Sequence, residues 1–142
     1  MIMNIKNCVG KIIKNVFLEW FYLNGISTSI VRLYIETDEN FYDITCCEEN
    51  VFIRIQKEFP EDKDFKEFFY KPLKQNIEWL NKCKILYIKY LVDCLNLKRG
   101  ILFIFENDHN FVFYNKGYEI EDKELFEIDI NVALLPYNLI DL

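Results

Sequence analysis

The stretch Asn24-Gly25-Ile26-Ser27-Thr28-Ser29-Ile30-Val31-Arg32-Leu33-Tyr34-Ile35 decides the architecture. Asn24-Gly25 accepts positive φ at both central positions, which favours a tight hairpin turn. Beyond it, Val31, Leu33 and Ile35 fall on one side and Arg32 and Tyr34 on the other, the period of a half-buried strand. Upstream, Lys11 to Leu23 is rich in Ile, Val, Phe, Trp and Tyr and reads as its partner. Downstream, Asp38-Glu39-Asn40 is a polar turn, and Phe41–Cys46 and Val51–Gln56 are two more strands.

The period then changes. Pro60-Glu61-Asp62 has the form of a helix start, with Pro in the first turn and acids against the dipole. Phe65, Phe68 and Phe69 have helical spacing, and Pro72 is expected to end or kink that helix. A second helical piece is expected over 72–81, with Leu73, Ile77 and Leu80 on one face. The β pattern returns in Lys84–Leu95, Ile101–Glu106, Asn110–Asn115 and Leu125–Ile130, with turns at Leu97-Lys98-Arg99-Gly100, Asn107-Asp108-His109-Asn110 and Asn115-Lys116-Gly117. The expected fold is therefore α+β, two antiparallel β-meanders joined by a short helical segment.

Leu33-Tyr34-Ile35-Glu36 before Asp38-Glu39-Asn40-Phe41 resembles Leu102-Phe103-Ile104-Phe105-Glu106 before Asp108-His109-Asn110-Phe111, and Lys11-Ile12-Ile13 resembles Lys84-Ile85-Leu86. This suggests one domain over 1–142 holding an internal repeat, 9–56 and 82–130; strand–turn–strand units also resemble one another by chance.

Charge is sorted by position. Residues 36–64 hold ten acids against Arg54, Lys57 and Lys63, a net of −7. Residues 105–142 hold nine acids against Lys116 and Lys123, again −7, while 71–100 is net +5. Single-sign blocks create fields that select partners and speed encounter. The whole chain is at −6, which argues against nucleic acid as a direct ligand, because that affinity comes from Lys and Arg on phosphates. The basic block Lys71, Lys74, Lys82, Lys84, Lys89, Lys98 and Arg99 lacks the pattern of known nucleic-acid modules and is read as balancing the acidic blocks internally.

No G-x-S-x-G, P-loop or G-x-G-x-x-G occurs. His109 is the one histidine, read as a polar residue at a hairpin tip beside Asp108. No metal or cofactor is expected, since one His and no C-x-x-C cannot build a zinc site. Cys8, Cys46, Cys47, Cys83 and Cys94 are odd in number and read as free thiols of a reducing cytoplasm. Met1–Lys6 lacks the form of a leader, and no apolar run reaches the ~20 residues of a membrane span. The apolar stretch 132–140 is either a docked tail completing the core or part of a partner contact.

In size, acidity, aromatic and Asn/Lys/Ile-rich composition, and in lacking a catalytic set, the chain resembles the small acidic bacterial immunity proteins of contact-dependent growth inhibition and related polymorphic toxin systems. The resemblance covers the whole chain and is one of type, without a diagnostic motif. It implies a non-enzymatic cytoplasmic protein in tight complex with a cognate toxin domain, often a nuclease, that presents a basic cleft. The contacting acids would be Glu36, Asp38, Glu39, Asp43, Glu48 and Glu49, or alternatively Glu119, Glu121, Asp122 and Glu124. Two other classes stay open: an interaction module such as an adaptor or effector chaperone, and an enzyme with an unrecognised carboxylate site.

Overall fold

Period-two alternation governs nearly every described segment of the computed structural model, which describes residues 5–23, 26–47, 50–56, 70–75, 82–117 and 121–141. The strands are β1 (Ile13–Leu23), β2 (Ile26–Thr37), β3 (Phe41–Cys47), β4 (Asn50–Gln56), β5 (Tyr70–Gln75), β6 (Ile85–Val92), β7 (Lys98–Phe105), β8 (Asn110–Gly117), β9 (Glu121–Ile128) and β10 (Asn138–Asp141). All pairings between them are antiparallel. One meander runs β5-β1-β2-β3-β4 and the other β10-β6-β7-β8-β9, and they join where Ile30 of β2 meets Glu124 of β9.

The two meanders share one pattern of pairing. Ile13↔Thr37, Val16↔Ile35 and Leu18↔Leu33 correspond to Ile85↔Phe105, Ile88↔Phe103 and Tyr90↔Ile101. Each of these pairs of strands carries a register shift just after its first pair, and another at Glu19/Trp20 and Leu91/Val92 respectively. On the far side of the first strand, Leu18↔Leu73 corresponds to Tyr90↔Ile140. The lead-ins to β1 and β6 bridge each other at Ile12↔Lys84. Around this bridge Gly10 N–H donates to Ile85 O and Lys82 N–H to Ile13 O, both at 2.8 Å. Ile85 N–H donates to Lys11 O at 2.9 Å, and Ile13 N–H to Cys83 O at 3.1 Å. Each bond has its counterpart with the two chains exchanged, so the bridge lies on a pseudo-twofold axis. Gly10 and Lys82, two residues before the bridge on either side, both have positive φ.

Inward side chains of both meanders form the main core: Val16, Leu18, Leu33, Ile35, Tyr42 and Ile44 from one, Ile88, Ile101, Phe103, Phe105, Phe111 and Phe113 from the other. Strands β3 and β4 lie against β7, and β3 against β8. Asn115 Nδ2 donates to Cys46 O across this contact. A second cluster covers the outer face of the second meander, where Val132, Leu135, Tyr137 and Leu139 pack on Leu91, Leu102, Val112 and Tyr114. The apolar 132–140 stretch is thus a docked tail.

The α+β expectation is overturned. The structure is nearly all β, and the helical pieces among the described residues are two 3₁₀ turns, Ile5–Cys8 and Val132–Leu134. Tyr70–Gln75, expected to straddle two helices, is strand β5. Pro72 does not break it because β5 ends the sheet path, and an edge strand tolerates a missing N–H. The rest of the expected helical region, 57–69 and 76–81, lies outside the described residues. The turn expected at Leu97–Gly100 also moves: β7 already begins at Lys98, and Asp93 caps the preceding turn by accepting from Leu95 N, Leu97 N and Arg99 Nε. Cys8, Cys46 and Cys83 are buried free thiols and Cys94 an exposed one. Burial pushes the Cys8 thiol up to about 12, so it behaves as a small core hydrophobe.

Candidate functional site: an acidic end and a charged sheet face

The β2–β3 turn places Asp38 and Glu39 in solvent. Thr37 N–H closes this turn on Asn40 O, and its hydroxyl accepts from Glu39 N and Asn40 N. Because Ile13 faces Thr37, the turn abuts the Ile12–Lys84 bridge. The β7–β8 turn does the same from the other side: Ile85 faces Phe105, and Glu106 N–H donates to Lys84 O at 3.1 Å. Its exposed residues include Glu106 and Asp108. One acid pair from each block therefore flanks the pseudo-twofold axis. Between them stand Lys84, exposed, and Lys11, which holds Glu39 at 2.6 Å. The hydrogen bond to Glu39 raises the Lys11 pKa. Glu36, one strand position before Thr37, accepts from Asn15 Nδ2 at 2.8 Å.

Glu121, Asp122, Glu124 and Asp43, of the other sequence-predicted acids, lie elsewhere. Glu124 lies in β9 opposite Asn115 and near Ile30. Glu121 and Asp122 are the first strand positions of β9, with Glu121 opposite Gly117 of β8. Glu48, Glu49 and Glu119 lie outside the described residues. Asp43 is 3% exposed and turned to another task.

That task is a row of polar groups across the outer face of the first meander. Direct cross-strand neighbours are Glu19↔Arg32, Tyr34↔Asp43 and Asp43↔Arg54. Arg54 Nε donates to both Asp43 oxygens, at 3.2 and 3.1 Å. Arg32 Nη1 donates to Tyr34 Oη at 3.2 Å and lies 3.9 Å from Glu19 Oε2. Tyr34 Oη donates to Glu19 Oε1 at 3.4 Å. Glu19 Oε2 and Arg32 Nε are buried without a hydrogen bond. At the corresponding places in the second meander stand Leu91, Gly100, Leu102, Val112 and Glu127, mostly apolar and covered by the 132–139 segment. One framework thus carries an apolar face on one half and an ionic face on the other. A buried ion pair is weak evidence for stability, since desolvation cancels much of the attraction, so the ionic version calls for another reason.

Sequence reasoning missed Glu19, Arg32, Tyr34 and Arg54. The available signal was Glu19, an acid inside the apolar run from Val16 to Leu23, and the parity that sets Arg32 and Tyr34 opposite Leu33 and Ile35. In the basic block Arg99 pairs with Asp93 of the same block, Lys98 Nζ sits 4.4 Å from the Tyr90 ring centre, and Lys89 reaches Asp141 of the C-terminal acidic block.

His109 meets Asp129, not its neighbour Asp108, with Nδ1 at 3.0 and 3.1 Å from the two carboxylate oxygens. Asp129 also accepts from Asn110 N–H, so the pair ties the start of β8 to the end of β9. No group of three or more His, Cys, Asp or Glu suited to a metal occurs among the described residues. A cleft of about 550 Å³ lies under the docked tail, walled by Ile130, Leu134, Leu135, Pro136 and Tyr137 with Lys116 and Glu127. It contains none of the sequence-predicted acids. No helix among the described residues is long and apolar enough to cross a membrane.

No protein-family model, curated protein or solved structure matches the chain. Its chemistry must be judged from its own side chains.

Burial raises the Glu19 pKa, while Arg32 and the Tyr34 hydroxyl oppose the rise. Burial, then the Glu19 charge, pushes Tyr34 to about 12. For an acid whose folded pKa is raised, the folded state binds the proton more tightly than the unfolded chain. That contribution is complete below the unfolded value of about 4.3 and is lost as pH rises through the folded value. Glu19→Gln should therefore match the wild type near pH 4 and exceed it in stability at pH 7. Urea unfolding of both proteins across pH 4–8 checks this. A variant less stable at pH 7 would show that the Arg32 pairing outweighs the burial.

Proposed function

We propose that this chain is a stoichiometric protein-binding inhibitor, of the kind formed by small acidic immunity proteins, and that it engages a basic surface of a cognate toxin domain. The observation that carries the reading is the meeting of the two acidic turns, Asp38-Glu39 and Glu106-Asn107-Asp108, on either side of one strand bridge. Two sequence blocks of the same sign each contribute an acidic turn to one end of the molecule, where Lys11, Lys82 and Lys84 also stand and Lys11 takes Glu39, so Asp38, Glu106 and Asp108 are the acids offered to a partner. Acids on rigid turns suit a cleft built for a phosphate backbone, because their spacing is held by the sheet and little ordering entropy is spent on binding. Glu36 extends this surface along β2. Asp43, already paired with Arg54, contributes no free charge to it.

The partner is to be identified by capture from the native host, and its association then followed by stopped flow. Reversing Asp38 and Glu39 together to Lys should slow association several-fold at low salt. The difference should shrink as the Debye length falls to ~8 Å at physiological ionic strength. Dissociation should change less, as expected for rim charges. A wild-type rate indifferent to salt, with the reversal silent, would leave the acidic turns as solvated loops and end this reading.

A further inference from the structure

The charged row on the first meander ends in a group whose geometry is that of a prepared anchor. Arg54 spends only Nε on Asp43, and no described residue meets its terminal nitrogens. Its side chain is 63% exposed, while the Asp43 side chain beneath it is 4% exposed. A buried carboxylate thus holds the guanidinium by Nε, which leaves Nη1 and Nη2 of this largely exposed side chain as a planar fork for a partner. Phe52, two residues earlier on the same face of β4, is 54% exposed. Arginine is among the residues enriched at interface hot spots, where truncation costs most, and this one is braced from behind beside an exposed aromatic ring.

We infer that Arg54, braced by Asp43 and flanked by Phe52, receives a carboxylate side chain of a protein partner, with an apolar group of that partner seated on Phe52. The inference rests on the protein-binding reading and adds to it a contact of the opposite sign to the acidic end.

The planar fork of a guanidinium suits carboxylate and phosphate alike, and two observations favour a carboxylate. The row holds Arg32 and Arg54 against Glu19 and Asp43, so it has no surplus of positive charge to offset a dianion. The exposed ring suits a ligand with an apolar body next to its charge, as an Asp or Glu beside a hydrophobic residue provides. The second meander inverts the arrangement: Glu127 stands where Arg54 does and accepts from Tyr114 Oη, with Leu125 in the place of Phe52. The receptor is therefore peculiar to one half of a repeated framework. It gives the partner a single way round, because the acidic end and the arginine anchor must both find their complements.

The test needs no knowledge of the partner. Phenylacetate, acetate and inorganic phosphate are titrated into the full chain while the guanidinium signals of Arg54 are followed by ¹⁵N NMR. Phenylacetate should shift those signals saturably, acetate should bind several-fold more weakly, and phosphate should be no tighter than acetate. Arg54→Lys, followed through the Phe52 ring signals in place of the lost guanidinium, keeps the charge but loses the fork and should weaken phenylacetate about tenfold, which is about 1.4 kcal/mol. Phe52→Ala should reduce phenylacetate to the level of acetate and leave acetate unchanged. Absence of a saturable shift in the wild type, an unchanged affinity in Arg54→Lys, or phosphate binding tightest would each overturn the inference. Any of these could occur while the salt-dependent association through the acidic turns remains, so failure of the anchor is distinct from failure of the inhibitor reading.

Discussion

Phe111→Ala is expected to destabilise the protein by about 3–5 kcal/mol, a large share of the 5–15 kcal/mol typical of a domain. Phe111 is fully buried and stacks on Phe103, its direct partner on β7, with ring centres 4.7 Å apart. It also touches Phe105 at 5.7 Å and Phe126 at 5.2 Å. The ring is the hub of an aromatic cluster supplied by β7, β8 and β9, and those rings are held by their own strands and cannot collapse into the space it leaves. In the first meander the corresponding residue is Tyr42, whose direct strand partners are the aliphatic Ile35 and Ile55. Urea unfolding should show a lower midpoint with an unchanged slope. Phe111→Leu, which keeps most of the volume, should lose less. A loss under ~1 kcal/mol for the alanine variant would mean that the core repacks freely, against the usual behaviour of close-packed interiors.

The second large effect is expected at Gly100. A Cβ placed there would lie 2.4 Å from Tyr114 Cβ, 2.6 Å from Phe113 O and 2.8 Å from Tyr114 Cα. These are backbone atoms or atoms fixed to it, and none can swing aside. Gly100→Ala should therefore push β7 away from β8 and cost at least about 1–3 kcal/mol, the usual range for overpacking. The glycine is needed for space and not for a turn, since it faces Tyr114 directly within the β7–β8 ladder. Thermal unfolding compared with the wild type measures the effect. An alanine variant of equal or higher melting temperature would show that the two strands can separate at that point without loss.

The strands were legible because each has one wet face or one bulky face, and alternation survives in sequences such as Leu33-Tyr34-Ile35 and Val51-Phe52-Ile53. The failure at Tyr70–Gln75 has a plain cause. Lys71-Pro72-Leu73-Lys74 has no clean alternation, since Lys71 and Leu73 share one parity and Pro72 and Lys74 the other, and a proline reads as a breaker until the segment is known to be an edge, which is a property of the sheet. The acidic turn at Asp38-Glu39 could be read from its polar composition. That Glu106 and Asp108 stand beside it could not, because the Ile12–Lys84 bridge joins residues far apart in the chain. Asp43 illustrates the limit most clearly. Its parity places it opposite Tyr42 and Ile44, which suggests solvent, whereas register sets it between Tyr34 and Arg54 and makes it a buried ion partner. Charge counting sees a block of ten acids; lateral pairing decides which of them remain available to a partner.

The pseudo-twofold bridge also bears on how the chain comes off the ribosome. The hairpins β1–β2 and β2–β3 can form as soon as their residues emerge. The Ile12–Lys84 bridge and the Ile30–Glu124 join must wait for the second half. At roughly 5–20 residues per second that interval is on the order of several seconds, during which Leu33, Ile35 and Ile44 have nothing to face. Because the two lead-ins present matching hydrogen-bonding edges, Ile12 of one nascent chain can meet Lys84 of another in the same geometry. An exchanged dimer is the expected by-product, and size-exclusion chromatography of protein expressed at two levels would detect it. Expression level and temperature thereby become determinants of how much monomer is recovered, through a contact that contributes only a few hydrogen bonds to the finished molecule.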